Sequence, residues 1–336
     1  MSTLNAIVVG FGHLGNFHAQ KYAGLEKEGV HLLALVDPRG EELRAKADKI
    51  KAGIRIFFSL EEYFAQVSKG EIKKAQIASV SSTTDQHVSL GLKLISESVH
   101  LLVEKPLASS GSEAKKLVDE AKRKNIILAT GQVERHRAVE VYRTLKGRPL
   151  FIECHRLSPF PARSTDIDVI FDLMIHDIDL MLAMVNSPVS HIHGAGFPVL
   201  TNQIDIANCR FEFANGCVAN LTSSRISMAR TRKFRIFCQD SYLSLDLGAG
   251  TFESYQKHPE EKDPEKTISH KSGSLSVEDA LLEEIRDFAN AVRENRAPLV
   301  SGEDGLRAIE LAERVVSEVR GRWEKVLPDF RPEGRI

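Results

Sequence analysis

The sequence predicts an α/β chain in two parts: an N-terminal doubly wound parallel sheet, then a second α/β domain whose sheet is mainly antiparallel. Three observations predict it. Up to about residue 130, short apolar runs alternate with amphipathic stretches, the pattern of parallel strands joined by right-handed helical crossovers. Beyond residue 150 the segments are β-rich with little helix between most of them, so successive strands pair antiparallel. The third is a glycine-rich turn, Gly10-Phe11-Gly12-His13-Leu14-Gly15, placed directly behind the apolar run Ala6-Ile7-Val8-Val9. The domains implied are 1–130 and 131–336, with the C-terminal helices able to pack back toward the first domain.

Taken in order, the first part offers strands at 5–10, 31–36, 75–80, 99–103 and 126–130. Helical periodicity covers 15–28, 39–52, 59–68, 85–96 and 110–124. In the second part, strands are expected at 150–157, 189–199, 205–213, 217–227, 233–238 and 241–247, with one helix inserted at about 168–185. Asn215-Gly216, flanked by apolar alternation, signals a two-residue hairpin. Segment 256–275 is rich in Lys, Glu, His and Ser and reads as an exposed loop. Amphipathic helices follow at about 276–295 and 302–322, the second capped by Ser301 with Glu303 and Asp304.

Composition narrows the function classes. A chain of 336 residues accommodates two ordinary domains. Its 45 basic residues against 46 acidic ones give no surface field for nucleic acid or an anionic membrane, and neither is expected as a partner. The opening Met-Ser-Thr-Leu-Asn runs straight into a strand, so no signal peptide is expected, and no apolar stretch approaches bilayer length. Cys154, Cys209, Cys217 and Cys238 are scattered without a CxxC pair and read as reduced core thiols, which points to the cytoplasm.

The glycine turn carries the first chemical inference. A strand entering such a turn and opening a helix is built to hold a pyrophosphate: Gly10 permits the tight turn, Gly12 lets phosphates approach the backbone, and Gly15 lets helix and strand pack closely. A second apolar strand, Leu32 to Val36, ends in Asp37, about 20 residues past Gly15, where a dinucleotide fold places the carboxylate that binds the adenosine ribose. That acid repels a 2′-phosphate and favours NAD over NADP. Arg39 keeps both open, since a guanidinium there either pairs with that phosphate, stacks on adenine or is simply solvated.

Further candidates lie at strand ends. Leu101-Leu102-Val103 runs into Glu104-Lys105-Pro106, and ligands bind outside the carboxyl ends of strands in doubly wound sheets, so Lys105 is aimed at the cofactor crevice. Taken alone, it is also what a surface lysine at a strand end looks like. Ser81, Ser82 and Thr83, after the third strand, either contact the cofactor or cap the helix beginning near Asp85. Glu104 and His87 join the cofactor contacts, although His87, like His18, sits inside a helical pattern that suits a packing histidine. On the inserted helix, Asp172 and His176 are four apart and share a face, with Asp179 one turn on; a carboxylate beside an imidazole suits proton transfer. A capping acid and a satisfied core histidine give the same pattern. No third and fourth ligand stand at metal spacing, so no metal is expected. Between strand and helix, the loop carrying His155, Arg156, Ser158, Arg163, Ser164, Thr165 and Asp166 offers donors for a phosphorylated or hydroxylated substrate, Arg156, Arg163 and Ser164 above all.

Together the glycine turn, Glu104-Lys105-Pro106, Gly131-Gln132-Val133-Glu134-Arg135, the Asp172…His176 helix and the helix after Ser301 resemble the Gfo/Idh/MocA oxidoreductase family over nearly the whole chain. The resemblance implies a Rossmann domain followed by an α/β domain whose large open sheet forms subunit contacts, hence a homodimer or homotetramer. It implies that Lys105 and His176 handle the substrate proton, that Asp172 orients the histidine or the substrate, and that the Lys105–Pro106 bond is cis. Thr83 departs from the family, where proline is common at that position. Arg156-Leu-Ser-Pro-Phe, Arg163-Ser-Thr-Asp-Ile, Asp205-Ile-Ala-Asn and Gly216-Cys-Val-Ala-Asn look like the family's UDP-N-acetylglucosamine 3-dehydrogenases, which begin the route to the diamino sugar of some lipid A molecules. The expected function is NAD-dependent oxidation of a secondary hydroxyl, at C3 of that UDP-sugar. The alternatives are a dehydrogenase of a free sugar or inositol, and a non-catalytic NAD-sensing regulator.

Overall fold

Six short strands make the first sheet: β1 (Leu4–Val9), β2 (Val30–Val36), β3 (Arg55–Phe57), β4 (Ile77–Val80), β5 (His100–Glu104) and β6 (Leu128–Gly131). They lie in the order β3-β2-β1-β4-β5-β6, and all pair in parallel. Strand order reverses between β1 and β4, which makes the carboxyl ends there a ligand-binding crevice. Apolar runs such as Ile7-Val8-Val9 and Leu101-Leu102-Val103 are buried throughout, as a sheet covered on both faces requires. The structure, a computed structural model, describes residues 2–160, 167–263, 266–275, 277 and 279–326.

The crossovers carry α1 (His13–Gly24), α2 (Arg44–Ala47), α3 (Leu60–Ser68), α4 (Thr84–Ser96) and α5 (Gly111–Arg123), and α6 (Val133–Tyr142) follows β6. Ser59 and Ser110 cap α3 and α5 by accepting the Glu62 and Glu113 N–H groups. Two expected helices are shorter than their periodicity. The first stops at Gly24 and yields to a 3₁₀ turn over Glu26–Glu28, closed by Gly29 at φ +77°. The second is a 3₁₀ turn, Gly40–Leu43, leading into the single turn of α2.

Eight strands make the second sheet: β7 (Phe151–Leu157), β8 (Val189–Phe197), β9 (Ile206–Phe213), β10 (Val218–Ser224), β11 (Thr231–Phe237), β12 (Ser241–Asp246), β13 (Thr251–Lys257) and β14 (Ile268–Ser274). Their order is β14-β13-β12-β11-β7-β10-β9-β8, antiparallel except for the β7–β10 pair. Asn215-Gly216 does turn β9 into β10, but through a three-residue loop rather than the expected two-residue one: the Phe213 N–H donates to the Cys217 carbonyl and the Gly216 N–H to the Phe213 carbonyl, with Gly216 but not Asn215 at positive φ (+84°). The inserted helix opens as a π-turn over Ile170–Met174 and continues as α7 (Ile175–Val185). The segment expected as an exposed loop contains β14, whose side chains are all exposed; backbone pairing to β13 holds it, not burial. Finally come α8 (Ala280–Glu294) and α9 (Gly302–Val326). The expected cap forms reciprocally: Ser301 Oγ accepts the Asp304 N–H, and Asp304 accepts the Ser301 N–H.

The chain divides into two compact units, one running to His136 and resuming over Asp279–Ile309, the other Arg137–Glu278 with the described residues from Glu310. In the first, Leu4, Val8, Phe11, Tyr22 and Leu35 share a core with Ile285, Phe288 and Ala289 of α8. In the second, Arg225 and Asp205 form an ion pair with both side chains 0% exposed, Nε to Oδ1 at 2.7 Å. Asp205 also accepts the N–H groups of Val199, Leu200 and Thr201, and Arg225 donates to the Ile167 carbonyl. Burial pushes the Asp205 carboxyl up, but these donors outweigh it and hold its pKa at about 2. Cys154, Cys209 and Cys217 are buried free thiols, as expected, and Cys238 is half-buried and free. Among the described residues, no helix is long and apolar enough to cross a membrane.

Candidate active site

The three glycines of the turn answer to three different constraints. Gly10 has φ +85°, and a Cβ there would stand 2.5 Å from the Ser82 nitrogen, so only glycine fits between the turns after β1 and β4. A Cβ on Gly15 would overlap the Gly10 carbonyl oxygen, because α1 returns that close to the strand end. Gly12, the N-cap of α1, would meet nothing within 4 Å and receives no side-chain cap. An open approach to uncapped N–H groups at the positive end of a 12-residue helix suits an anion. His13 and Leu14 are exposed on its first turn, while Phe11 is buried beneath it.

Asp37 ends β2, buried, and its Oδ2 accepts the Phe11 N–H at 2.7 Å, which ties the acid to the glycine turn. Arg39 settles on the acid: Nε and Nη2 each donate at 2.8 Å to its two oxygens, and its own N–H at 3.0 Å. Burial raises the Asp37 carboxyl, but Arg39 and the Phe11 N–H outweigh it and hold it below the usual carboxylate range. Lys46 of α2 was invisible to sequence reasoning. Its Nζ donates to the carbonyls of Gly12 at 2.8 Å and Phe11 at 3.3 Å and lies over the Phe11 ring. Only the fold brings it to the glycine turn.

The turns after β4 and β5 face the same crevice. Ser81 donates its N–H to Val9, and its Oγ is a buried hydroxyl without a hydrogen-bond partner among the described residues. Thr83 occupies the N-cap of α4 without a side-chain capping bond. Lys105 is half-buried and its bond to Pro106 is cis. Glu104 is buried: one oxygen meets His18 Nε2 at 2.7 Å and the other accepts the Lys105 N–H at 3.2 Å. Burial raises the Glu104 carboxyl, but His18 and the nearby Lys105 charge hold it below its ordinary value. Behind His18, Ser79 Oγ bonds His18 Nδ1 at 3.0 Å and the Tyr22 hydroxyl at 2.9 Å. Glu104, expected to touch the cofactor, is thus committed to the interior. So is His87, whose two ring nitrogens face the Pro106 and Ser82 carbonyls at 3.0 and 3.2 Å.

In the second unit Asp172 lies in the π-turn and His176 in the first turn of α7, both half-buried; Asp179 is buried. A face argument drawn for a plain α-helix therefore does not apply unchanged across Asp172. Arg156, expected to donate to a phosphorylated or hydroxylated substrate, lies on β7, within the strand expected at 150–157, and is buried, with Nε and Nη2 donating to Asp177 at 2.9 and 2.8 Å. Strand alternation puts it on the inner face with Ile152 and Cys154, so its charge answers Asp177 rather than a ligand. His155 is half-exposed beside Glu153. Arg163, Ser164, Thr165 and Asp166 lie outside the described residues.

In the first unit the pieces fit a dinucleotide: an open glycine at a helix N-terminus, a buried acid at the end of β2, and an unpartnered Ser81 hydroxyl beside the turn. Comparison with known proteins agrees. Residues 4–132 match the Gfo/Idh/MocA oxidoreductase family with an NAD-binding Rossmann fold, and residues 144–244 match the Gfo/Idh/MocA C-terminal domain. The chain is 34% identical over 310 residues to a UDP-N-acetylglucosamine 3-dehydrogenase of Acidithiobacillus ferrooxidans, covering 92% of this chain and 95% of that one. A solved structure of the enzyme of that name from the same organism superposes with TM-score 0.84, covering 96% and 99% of the two chains at 32% identity. A myo-inositol 2-dehydrogenase of Thermotoga maritima is 23% identical, with 90% and 92% covered. Levoglucosan dehydrogenase, solved with NADH and levoglucosan, shares the fold at TM-score 0.80 and 16% identity, with 96% and 98% covered.

Proposed function

Because the chain belongs to the Gfo/Idh/MocA oxidoreductase family, we propose that this NAD-dependent enzyme oxidises the C3 hydroxyl of UDP-N-acetylglucosamine to a 3-keto sugar. The observation that carries the substrate is the near full-length similarity to a dehydrogenase of that sugar nucleotide, against weaker similarity to inositol dehydrogenases. NAD, when bound, supplies the acceptor for the hydride. The glycine turn and α1 N-terminus hold its pyrophosphate and Asp37 its ribose, with Ser81, Ser82 and Thr83 lining the same crevice. Lys105 or His176 takes the hydroxyl proton as the carbonyl forms, and Asp172 orients the imidazole or the sugar. General-base catalysis of this kind contributes about 10²–10⁴-fold. The 3-keto product suits an aminating partner enzyme, as on the diamino-sugar route of lipid A.

A panel of UDP-sugars, free sugars and inositols, followed by NADH absorbance with a transaminase drawing off product, tests the substrate. NADH from UDP-N-acetylglucosamine alone is expected; formation from a free polyol and none from UDP-sugars would move the reading to the inositol branch. Lys105→Met should abolish turnover and leave the NAD dissociation constant within about threefold.

We further propose self-association through the open sheet. Phe151, Phe237, Tyr242, Tyr255 and His270 form a ladder of neighbouring rings across five strands, with Tyr255 40% exposed. Light scattering on the wild-type chain and on Tyr255→Glu reads the oligomer directly. A cytoplasmic setting is consistent with four free thiols.

A further inference from the structure

We propose that His87 is a positioning residue: by bridging the backbone of two turns it sets where Lys105 stands. The inference rests on the reading that Lys105 takes the substrate proton. The β4–β5 ladder ends at Val80 opposite Val103; β4 leaves the sheet there and β5 one residue later, after Glu104 pairs with Gly131, and each runs into a turn at the carboxyl end of the sheet. His87, 1% exposed on α4, rejoins them beyond the ladder, Nδ1 at 3.0 Å from the Pro106 carbonyl and Nε2 at 3.2 Å from the Ser82 carbonyl. Neither oxygen can donate, so each contact needs a proton on the ring; burial favours the neutral imidazole, which donates to one carbonyl at a time, and the proposal places that proton on Nδ1, toward the shorter contact with Pro106.

The residue on the other side of Lys105 is also gripped by an imidazole. Glu104 is held by His18, which is itself anchored on Ser79. Lys105 therefore sits between a carboxylate fixed from α1 and a proline carbonyl fixed from α4. Geometry at this level matters because a misplacement of about 1 Å can cost on the order of 10²-fold in rate.

The two contacts can be separated by substitution. In His87→Asn the amide nitrogen falls near the Nδ1 position and keeps a donor for Pro106; in His87→Gln it falls near Nε2 and keeps a donor for Ser82. Three readouts are taken on the full-length enzyme: kcat, the NAD dissociation constant by calorimetry, and hydrogen exchange of peptides spanning 101–109 without cofactor. His87→Asn should hold kcat within about threefold, whereas His87→Gln should lose roughly 30-fold with the NAD constant within about threefold. Exchange over 101–109 should accelerate about tenfold or more in the Gln variant and not in the Asn variant.

Equal kcat and equal exchange in the two variants would overturn the proposal. So would losses that follow the melting temperature across Asn, Gln and Ala variants, since a purely structural histidine behaves that way. If only the Asn variant folds, a kcat loss above tenfold with the Pro106 donor retained also overturns it. Lys105→Met separates the two readings. An active Lys105→Met removes the proton role and this proposal with it, while an inactive Lys105→Met beside a fully active His87→Gln removes only the positioning role.

Discussion

Gly12 and Gly15 are three residues apart in one motif, yet the structure predicts opposite consequences for the same alanine substitution. At Gly15 the new methyl would overlap the Gly10 carbonyl oxygen and come within 2.9 Å of its carbon. Both are backbone atoms, held in place because the Gly10 N–H is bonded to Val36 and the turn abuts Ser82. Relief requires moving α1 outward or twisting the turn, and overpacking of this kind costs about 1–3 kcal/mol. For a unit of this size each kcal/mol lowers the melting temperature by roughly 2–4 °C, so a fall of several degrees is expected. At Gly12 the methyl meets nothing within 4 Å, so no steric overlap of the kind at Gly15 opposes the substitution. The space it fills is the approach to the uncapped helix N-terminus, where the pyrophosphate is expected.

Calorimetric melting and NAD titration of the two variants together test this. Gly12→Ala should melt within about 1 °C of wild type and bind NAD at least tenfold more weakly, about 1.4 kcal/mol. Gly15→Ala should lose both stability and binding. The reasoning fails if Gly12→Ala destabilises as much as Gly15→Ala, or if it binds NAD normally.

Asp37→Ala frees the Arg39 guanidinium and removes the repulsion of a 2′-phosphate. NAD affinity should fall and NADP affinity rise; parallel weakening of both would contradict the assignment of Arg39. Asp205→Asn leaves Arg225 buried beside a neutral partner, and breaking such a pair costs about 3–5 kcal/mol, readable by urea denaturation, where a loss under about 1 kcal/mol would refute it. Acid should destabilise the protein in two stages. Burial lowers the His136 pKa to about 4, so between the unfolded value near 6.5 and 4 the unfolded chain binds a proton that the native one refuses, and stability falls on the order of 3 kcal/mol as pH drops. Asp205, held at about 2, adds a second loss below its unfolded value of about 4. Urea midpoints from pH 7 to 4 measure the first stage, and His136→Asn should flatten that slope.

What the sequence disclosed depended on whether a feature writes itself into hydrophobicity. The parallel strands are continuous apolar runs because both faces are covered, and Asn215-Gly216 is legible because positive φ restricts the residue choice. β3, three residues with only Phe57 buried, is too short to show a period. β14 shows none because its side chains are all exposed, so no apolar alternation marks it, and backbone pairing to β13 defines it. Arg156 is the instructive miss. Its parity with Cys154, already read as core, placed it on the inner face of β7, and Asp177 was available directly after His176 as the buried charge to meet it. Lys46 could not be assigned, because the crossover decides which long cationic side chain reaches the turn, and Arg39 stayed open because its pairing with Asp37 two residues earlier is one of several placements the spacing allows.

The expected chemical groups share a local arrangement that no motif describes. Lys105 follows Glu104, locked by His18, and His176 precedes Asp177, locked by Arg156. Each half-buried candidate is thus the sequence neighbour of a buried ionic residue with a partner on a different element. Buried pairs of this sort contribute little net stability, since desolvation offsets most of the attraction, but they tolerate few alternative placements because a displaced charge is left unpaired. A backbone fixed one residue away confines a side chain more tightly than apolar packing, which admits repacking at small cost. Replacing either pair by apolar residues of similar volume should therefore spare stability more than turnover, and that asymmetry is what an active site needs from its surroundings.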